Sequence, residues 1–113
     1  MENRILVHYG LFSFNNNYWK LSIDDRKHTL KSFLKHVQEA SKQTWIYQVY
    51  PAQTKFDFLV WSTVEIVDNS IPMKFMADYA QATNPFREFI DPVENFWGVT
   101  KPSIYSKAKR SAQ

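Results

Sequence analysis

The sequence predicts an α+β fold with four strands and two helices in the order βαββαβ. Three observations carry this reading. Two segments, 23–40 and 71–82, repeat apolar residues at helical spacing. Four β-rich segments flank them, one before the first helix, two between the helices and one after the second. Several of those strands are apolar on both pleat faces. At 113 residues the chain has the size of one domain with one modest core.

Ile5 to Phe14 reads as the first strand, with Ile5, Val7, Tyr9 and Leu11 on one face and Leu6 and Phe12 on the other. Asn15-Asn16-Asn17 marks a turn. Ser22 suits an N-cap, and Asp24 and Asp25 suit the positive end of the helix dipole. Leu30, Phe33, Leu34 and Val37 then form one stripe, with Lys27, Lys31, Lys35 and Glu39 largely away from it. This helix, ending near Ala40, buries one face. Thr44 to Tyr50 is a second strand stopped by Pro51, and Phe56 to Thr63 is a third, with Phe58 and Val60 opposed to Leu59 and Trp61. Asp68-Asn69-Ser70 leads into the second helix, Ile71 to Ala82, where Pro72 is tolerated in the first turn. Met73, Met76, Ala77 and Ala80 share one helix face. Phe75, Tyr79 and Phe86 form a second apolar stripe beside it. One stripe should pack on the sheet, and the other is a candidate subunit contact. Asn84-Pro85 ends the helix, and Val93 to Thr100 is the fourth strand.

This order defines a ferredoxin-like sandwich, with both helices on one face of the sheet. Strands apolar on both sides imply that the second face packs on another sheet, pairing chains as a dimeric α+β barrel. Nine Phe, six Tyr and four Trp are more aromatic surface than a monomer of this size readily hides, which also points to an oligomer. Subunit contacts are expected at Trp61, Trp97 and the Phe75/Tyr79 stripe. Residues 1–105 read as a single domain, and 106–113 as a basic tail or a truncated interdomain linker.

Charge and composition exclude several classes of function. Lys101, Lys107, Lys109 and Arg110 cluster at the end, leaving ten Lys and Arg against eleven Asp and Glu in residues 1–100. The body therefore lacks a nucleic-acid signature. The absence of cysteine excludes disulfides, thiolate nucleophiles and Cys-based metal sites. Gly10 and Gly98 are the only glycines, so there is no Gly-rich phosphate loop. No metal-ligand spacing or nucleophile motif is present, and no catalytic residue is assigned. The apolar run at Met1 to Tyr9 is too interrupted for a signal peptide, and no stretch approaches the ~18 apolar residues of a membrane span. A cytoplasmic location without membrane contact is the default expectation.

On this architecture a set of short patterns falls in order: Trp19-x-Leu21, an acidic helix start, a helix end near Ala40, the strand Asp57-Phe58-Leu59-Val60-Trp61, and the exit Gly98-x-Thr100-Lys101-Pro102-Ser103-x-Tyr105. From about Tyr18 to Tyr105 the chain resembles the N-terminal domain of the chlorite dismutase-like heme protein family, which includes chlorite-decomposing enzymes and coproheme decarboxylases. The resemblance implies two ferredoxin-like domains per family member, with heme on a histidine of the C-terminal one. By that resemblance this chain is the scaffold half of a heme-dependent oxidoreductase assembly. Its partner would be a heme-carrying domain or chain, or further copies of itself. No heme ligand or catalytic residue carries over.

A homodimer would instead build a site for heme or a small aromatic ligand between its own subunits, as single-domain α+β barrel monooxygenases of similar length do. A heme-ligating histidine is held through its second ring nitrogen. His8 comes first among the three histidines, since a strand residue must face either the helices or the opposed sheet. His36 lies on the flank of the first helix's stripe and His28 nearly opposite it. The plainer reading is a partly satisfied His8 and two surface histidines. Asp24 and Asp25 are helix-start charges rather than an acid/base pair. Asp57, between two Phe, is better explained by structural pairing than as a base. Met73 and Met76 read as core filler.

The same element order describes an RNA-recognition module, which Lys55 to Trp61 superficially resembles. Asp57 there would set negative charge near a phosphate backbone, Leu6 stands where a first-strand aromatic is expected, and the body has no basic surface. A cofactor-free interaction module completes the alternatives.

Overall fold

The computed structural model describes residues 4–41, 43–48 and 55–100. Along the chain lie β1 (Arg4–Phe14), α1 (Asn16–Trp19), α2 (Ile23–Ala40), β2 (Gln43–Gln48), β3 (Phe58–Ile66), α3 (Ile71–Thr83), a 3₁₀ turn (Asn84–Phe86) and β4 (Ile90–Thr100). The four strands form one sheet in the order β2-β3-β1-β4, with every neighbouring pair antiparallel. This is the expected ferredoxin-like arrangement. The Lys101 to Tyr105 part of the exit motif, the tail at 106–113 and the end of the expected second strand at 49–50 lie outside the described residues.

Local chemistry explains the element ends. The predicted turn at Asn15 becomes a cap: its Oδ1 accepts from the Tyr18 N–H at 3.2 Å and starts the single turn of α1. Ser22 caps α2, its Oγ accepting from the Asp25 N–H at 3.1 Å, with Asp24 and Asp25 in the first turn. β4 begins three residues earlier than the pattern suggests, at Ile90, and carries Pro92. A proline is accommodated there because β4 is an edge strand and its register with β1 shifts between Leu11 and Phe12.

One core fills the space between the helices and the sheet. Leu6 and Phe12 of β1, Phe58 and Val60 of β3, Phe33 and Val37 of α2, and Phe75 and Tyr79 of α3 form it with Ile90. Leu30 and Leu34 complete the α2 stripe against it. On α3 the two apolar stripes compete for the sheet, and the aromatic one wins. Met73 is 77% exposed and Met76 41%, so neither methionine fills the core. The Tyr79 hydroxyl lies against Gly10 of β1, and the Phe75 ring packs against Tyr79 and Trp97 at 5.7 and 5.9 Å between centroids. Asp57 anchors the approach to β3. Its Oδ2 accepts from the Phe14 N–H at 2.7 Å and from Ser13 Oγ at 3.2 Å, while its own N–H donates to the Phe12 carbonyl at 2.8 Å.

Candidate functional site

Strand register places two sets of side chains on opposite faces of the sheet. On the helix side, His8 lies directly across from Ser62 on β3 and Trp97 on β4. His8 is fully buried. The Tyr79 ring stands edge-on at 4.4 Å between centroids, the Trp97 ring lies tilted at 4.0 Å, and Phe75 closes the group at 6.2 Å. His8 Nε2 lies 2.7 Å from Asn95 Oδ1. An amide oxygen only accepts, so Nε2 carries the proton and Nδ1 keeps its lone pair. Burial lowers the His8 pKa and the Asn95 hydrogen bond opposes it. Burial also pushes the Tyr79 phenol up, so its hydroxyl stays protonated. His8 Nδ1, Ser62 Oγ and Tyr79 Oη are buried without a hydrogen-bond partner. Gly10 makes room for this group. A Cβ there would sit 2.5 Å from Tyr79 Oη, 2.8 Å from Phe12 Cε2 and 3.2 Å from His8 Cε1.

The face away from the helices carries one aromatic row across all four strands. Trp45 pairs with Trp61, Trp61 with Tyr9, and Tyr9 with Phe96 in the ladders. The Trp45 and Trp61 rings are 4.6 Å apart, and Tyr9 stacks on Trp61 at 5.8 Å with 13° between planes. Trp45, Tyr9 and Phe96 remain exposed while Trp61 is half-buried between its neighbours. The adjacent row continues the apolar surface through Tyr47, Leu59 and Leu11 and ends at Glu94. Along the described strands this face bears Glu65 and Glu94 and no Lys or Arg.

The residues expected at subunit contacts separate on this geometry. Trp61 lies at the centre of the open face. Trp97 is 40% exposed on the helix side of the edge strand. Phe75 and Tyr79 are buried at 3% and 5% within the chain's own core, so their ring surface is consumed inside the protomer. Sequence reasoning missed Ser62, Asn95 and Gly10, whose roles depend on register. It also missed Tyr9, Trp45 and Phe96 as companions of Trp61. Strand alternation is the signal that could have found that row.

A heme ligand does not fit the histidines. The unprotonated nitrogen of His8 is enclosed by Phe75, Tyr79 and Trp97 at ring separations that leave no room for a porphyrin plane. His36 is exposed on α2, with Nδ1 2.7 Å from the Ser32 carbonyl, and His28 is exposed on the same helix. Among the described residues, no group of three or more His, Asp or Glu could hold a metal ion. No helix among them is long and apolar enough to cross a membrane.

No protein-family model matches the chain, and no curated protein does. Solved structures do. A variant of the chlorite dismutase from Candidatus Nitrospira defluvii superposes with a TM-score of 0.61 at 15% identity, over 92% of this chain and 43% of that one. A dimeric ferredoxin-like protein of unknown function from Thermobifida fusca gives 0.56 at 11% identity, over 88% of this chain and 92% of that one. A dimeric protein of the same fold and unknown function from Bacteroides fragilis gives 0.52 at 14%, over 87% and 96%. The chain thus spans less than half the length of the chlorite dismutase and nearly the whole length of the two dimeric proteins. At these identities the likeness is one of fold: the chain has a ferredoxin-like architecture similar to that of one half of a chlorite dismutase and of the two dimeric proteins.

Proposed function

We propose that the chain is the scaffold, non-heme-ligating half of a heme-dependent oxidoreductase assembly of the chlorite dismutase type, working through its open sheet face. The observation that carries the reading is the aromatic row Trp45, Trp61, Tyr9 and Phe96, which crosses the whole sheet opposite the helices. Exposed apolar surface of that extent marks an interaction site. Its occupant is a second sheet, supplied by another copy of the chain in a dimeric α+β barrel or by a heme-carrying domain or chain. Along the described strands this face bears acidic Glu65 and Glu94 and no Lys or Arg, which disfavours a nucleic-acid backbone. The reading places the assembly in the cytoplasm, with heme bound outside this chain.

A second reading makes the homo-oligomer self-sufficient, with heme or a small aromatic ligand held between subunits. It is supported by the near-equal length of the two dimeric structures of the same fold. Titration of the purified chain with heme and coproheme, followed at the Soret band, separates the two readings. Free-heme spectra throughout are expected, with binding appearing only when a heme-carrying partner is added. Saturable binding at a fixed fraction per chain, in the absence of any partner, would establish the self-sufficient oligomer instead.

A further inference from the structure

We propose that Gly98 is where a second copy of the chain makes its closest approach to the open sheet face, with a partner side chain lodged over the bare backbone of β4. This rests on the reading that a second sheet covers that face, and it commits the occupant to a second copy. The two glycines of the chain differ in what accounts for them. At Gly10 a Cβ would meet Tyr79 Oη at 2.5 Å and Phe12 Cε2 at 2.8 Å, so packing inside the protomer excludes a larger residue. At Gly98 a Cβ would meet nothing within 4 Å, and neither glycine has a positive φ. Neither space nor backbone conformation within the protomer calls for glycine at Gly98. Glycine weakens the interior of a strand, and there it often marks close approach by another backbone or a ligand.

Register puts this bare position on the face away from the helices. Gly98 stands opposite Val7, beside the Tyr9–Phe96 pair. Val7 lies between Leu6 and His8, which are buried on the helix side, so a side chain at either Val7 or Gly98 points the other way. Packed sheets lie about 10 Å apart with their side chains interdigitated. A notch in one sheet is then filled by a side chain descending from the other. The extent of the face selects a sheet as the occupant. Tyr9, Trp45, Tyr47 and Phe96 keep 37–51% of their surface exposed, on the order of 350 Å² of ring together. With Val7, Leu59 and half-buried Trp61 beside them, the face approaches the ~800 Å² per partner of a stable interface. A like face is a suitable partner because the row Trp45, Trp61, Tyr9 and Phe96 carries no charge. Glu65, near the end of the β1–β3 ladder, and Glu94, on the edge strand, stand outside it.

Gly98→Val tests the close approach, since it adds a strand-favouring side chain where the protomer has room. Sedimentation equilibrium gives the dimer Kd of wild type and variant, and urea unfolding at concentrations below that Kd gives the stability of the protomer. The Kd is expected to rise about tenfold, the effect of overpacking a filled notch, while protomer stability is unchanged or raised. Gly98→Ala should give a smaller rise in the same direction, and it preserves the test if the valine variant does not fold. If wild type self-associates and Gly98→Val associates equally or more tightly, the added apolar surface has only enlarged the interface and the inference alone is overturned. Loss of folding in Gly98→Ala would assign the glycine to the protomer and overturn it too. A monomeric wild type overturns it together with the homodimer.

Discussion

His8 is held neutral by burial, and its hydrogen bond to Asn95 opposes only part of the lowering of its pKa below 6.5. In the unfolded chain the same ring takes up a proton near 6.5. As the pH drops, the unfolded state therefore binds that proton before the folded state does, and stability falls. The contribution is complete above about pH 6.5 and is lost progressively from there toward the lowered folded value. Melting curves between pH 7 and pH 5 should show a falling Tm whose slope is reduced in His8→Gln. An unreduced slope would assign the acid sensitivity to other groups. At this scale the sequence was only half legible. Strand position showed that His8 must face the helices or an opposed sheet, but not which. Asn95 stands 87 residues away, so no local pattern could reveal it as the partner. Ser62 reads as a plain polar residue in a strand until the ladder sets it opposite His8.

Among the elements, α2 was readable almost in full and α3 was not, for one physical reason. α2 has a single apolar stripe and a side-chain cap, so its buried face is determined by periodicity: Phe33 and Val37 are fully buried, and Ser22 caps the first turn. α3 carries two apolar stripes, and which of them is buried depends on what each meets across the sheet, which a one-dimensional pattern does not contain. Strand starts show the same division. The approach to β3 is set by Asp57, whose carboxylate joins the end of β1 to the chain entering β3 through Phe14 N–H and Ser13 Oγ. Asp57→Ala leaves the Phe14 N–H without its acceptor. Because the lost acceptor is charged, the expected cost is about 1.5–3 kcal/mol of unfolding free energy, read from urea denaturation. A loss below about 0.5 kcal/mol, the range of ordinary surface substitutions, would mean that the β1–β3 ladder holds this end unaided.

For the whole molecule, the question is what covers the face opposite the helices. Sequence alternation already indicated strands apolar on both sides and hence a second packed face. It did not show that Trp45, Trp61, Tyr9 and Phe96 fall in one row, because that alignment depends on three separate registers. β4 adds to the argument: every residue from Asp91 to Thr100 is exposed, including Phe96 at 51% and Val99 at 51%. A two-sided apolar edge strand is a liability that folded proteins cover or blunt. If a second copy covers it, association and folding are linked by mass action, and Tm should rise with protein concentration. Trp61→Arg places an unpaired charge at the centre of the row and is expected to give monomers in sedimentation equilibrium. Phe96→Lys, at an exposed edge position where the fold itself tolerates a charge, should weaken association in the same direction. Met76→Arg, on the outer face of α3, should leave the mass unchanged and so exclude a general effect of added charge. A wild-type chain that stays monomeric at tens of micromolar, with a Tm independent of concentration, would remove the homodimer. The face would then belong to a different chain, to be sought as the heme-carrying partner.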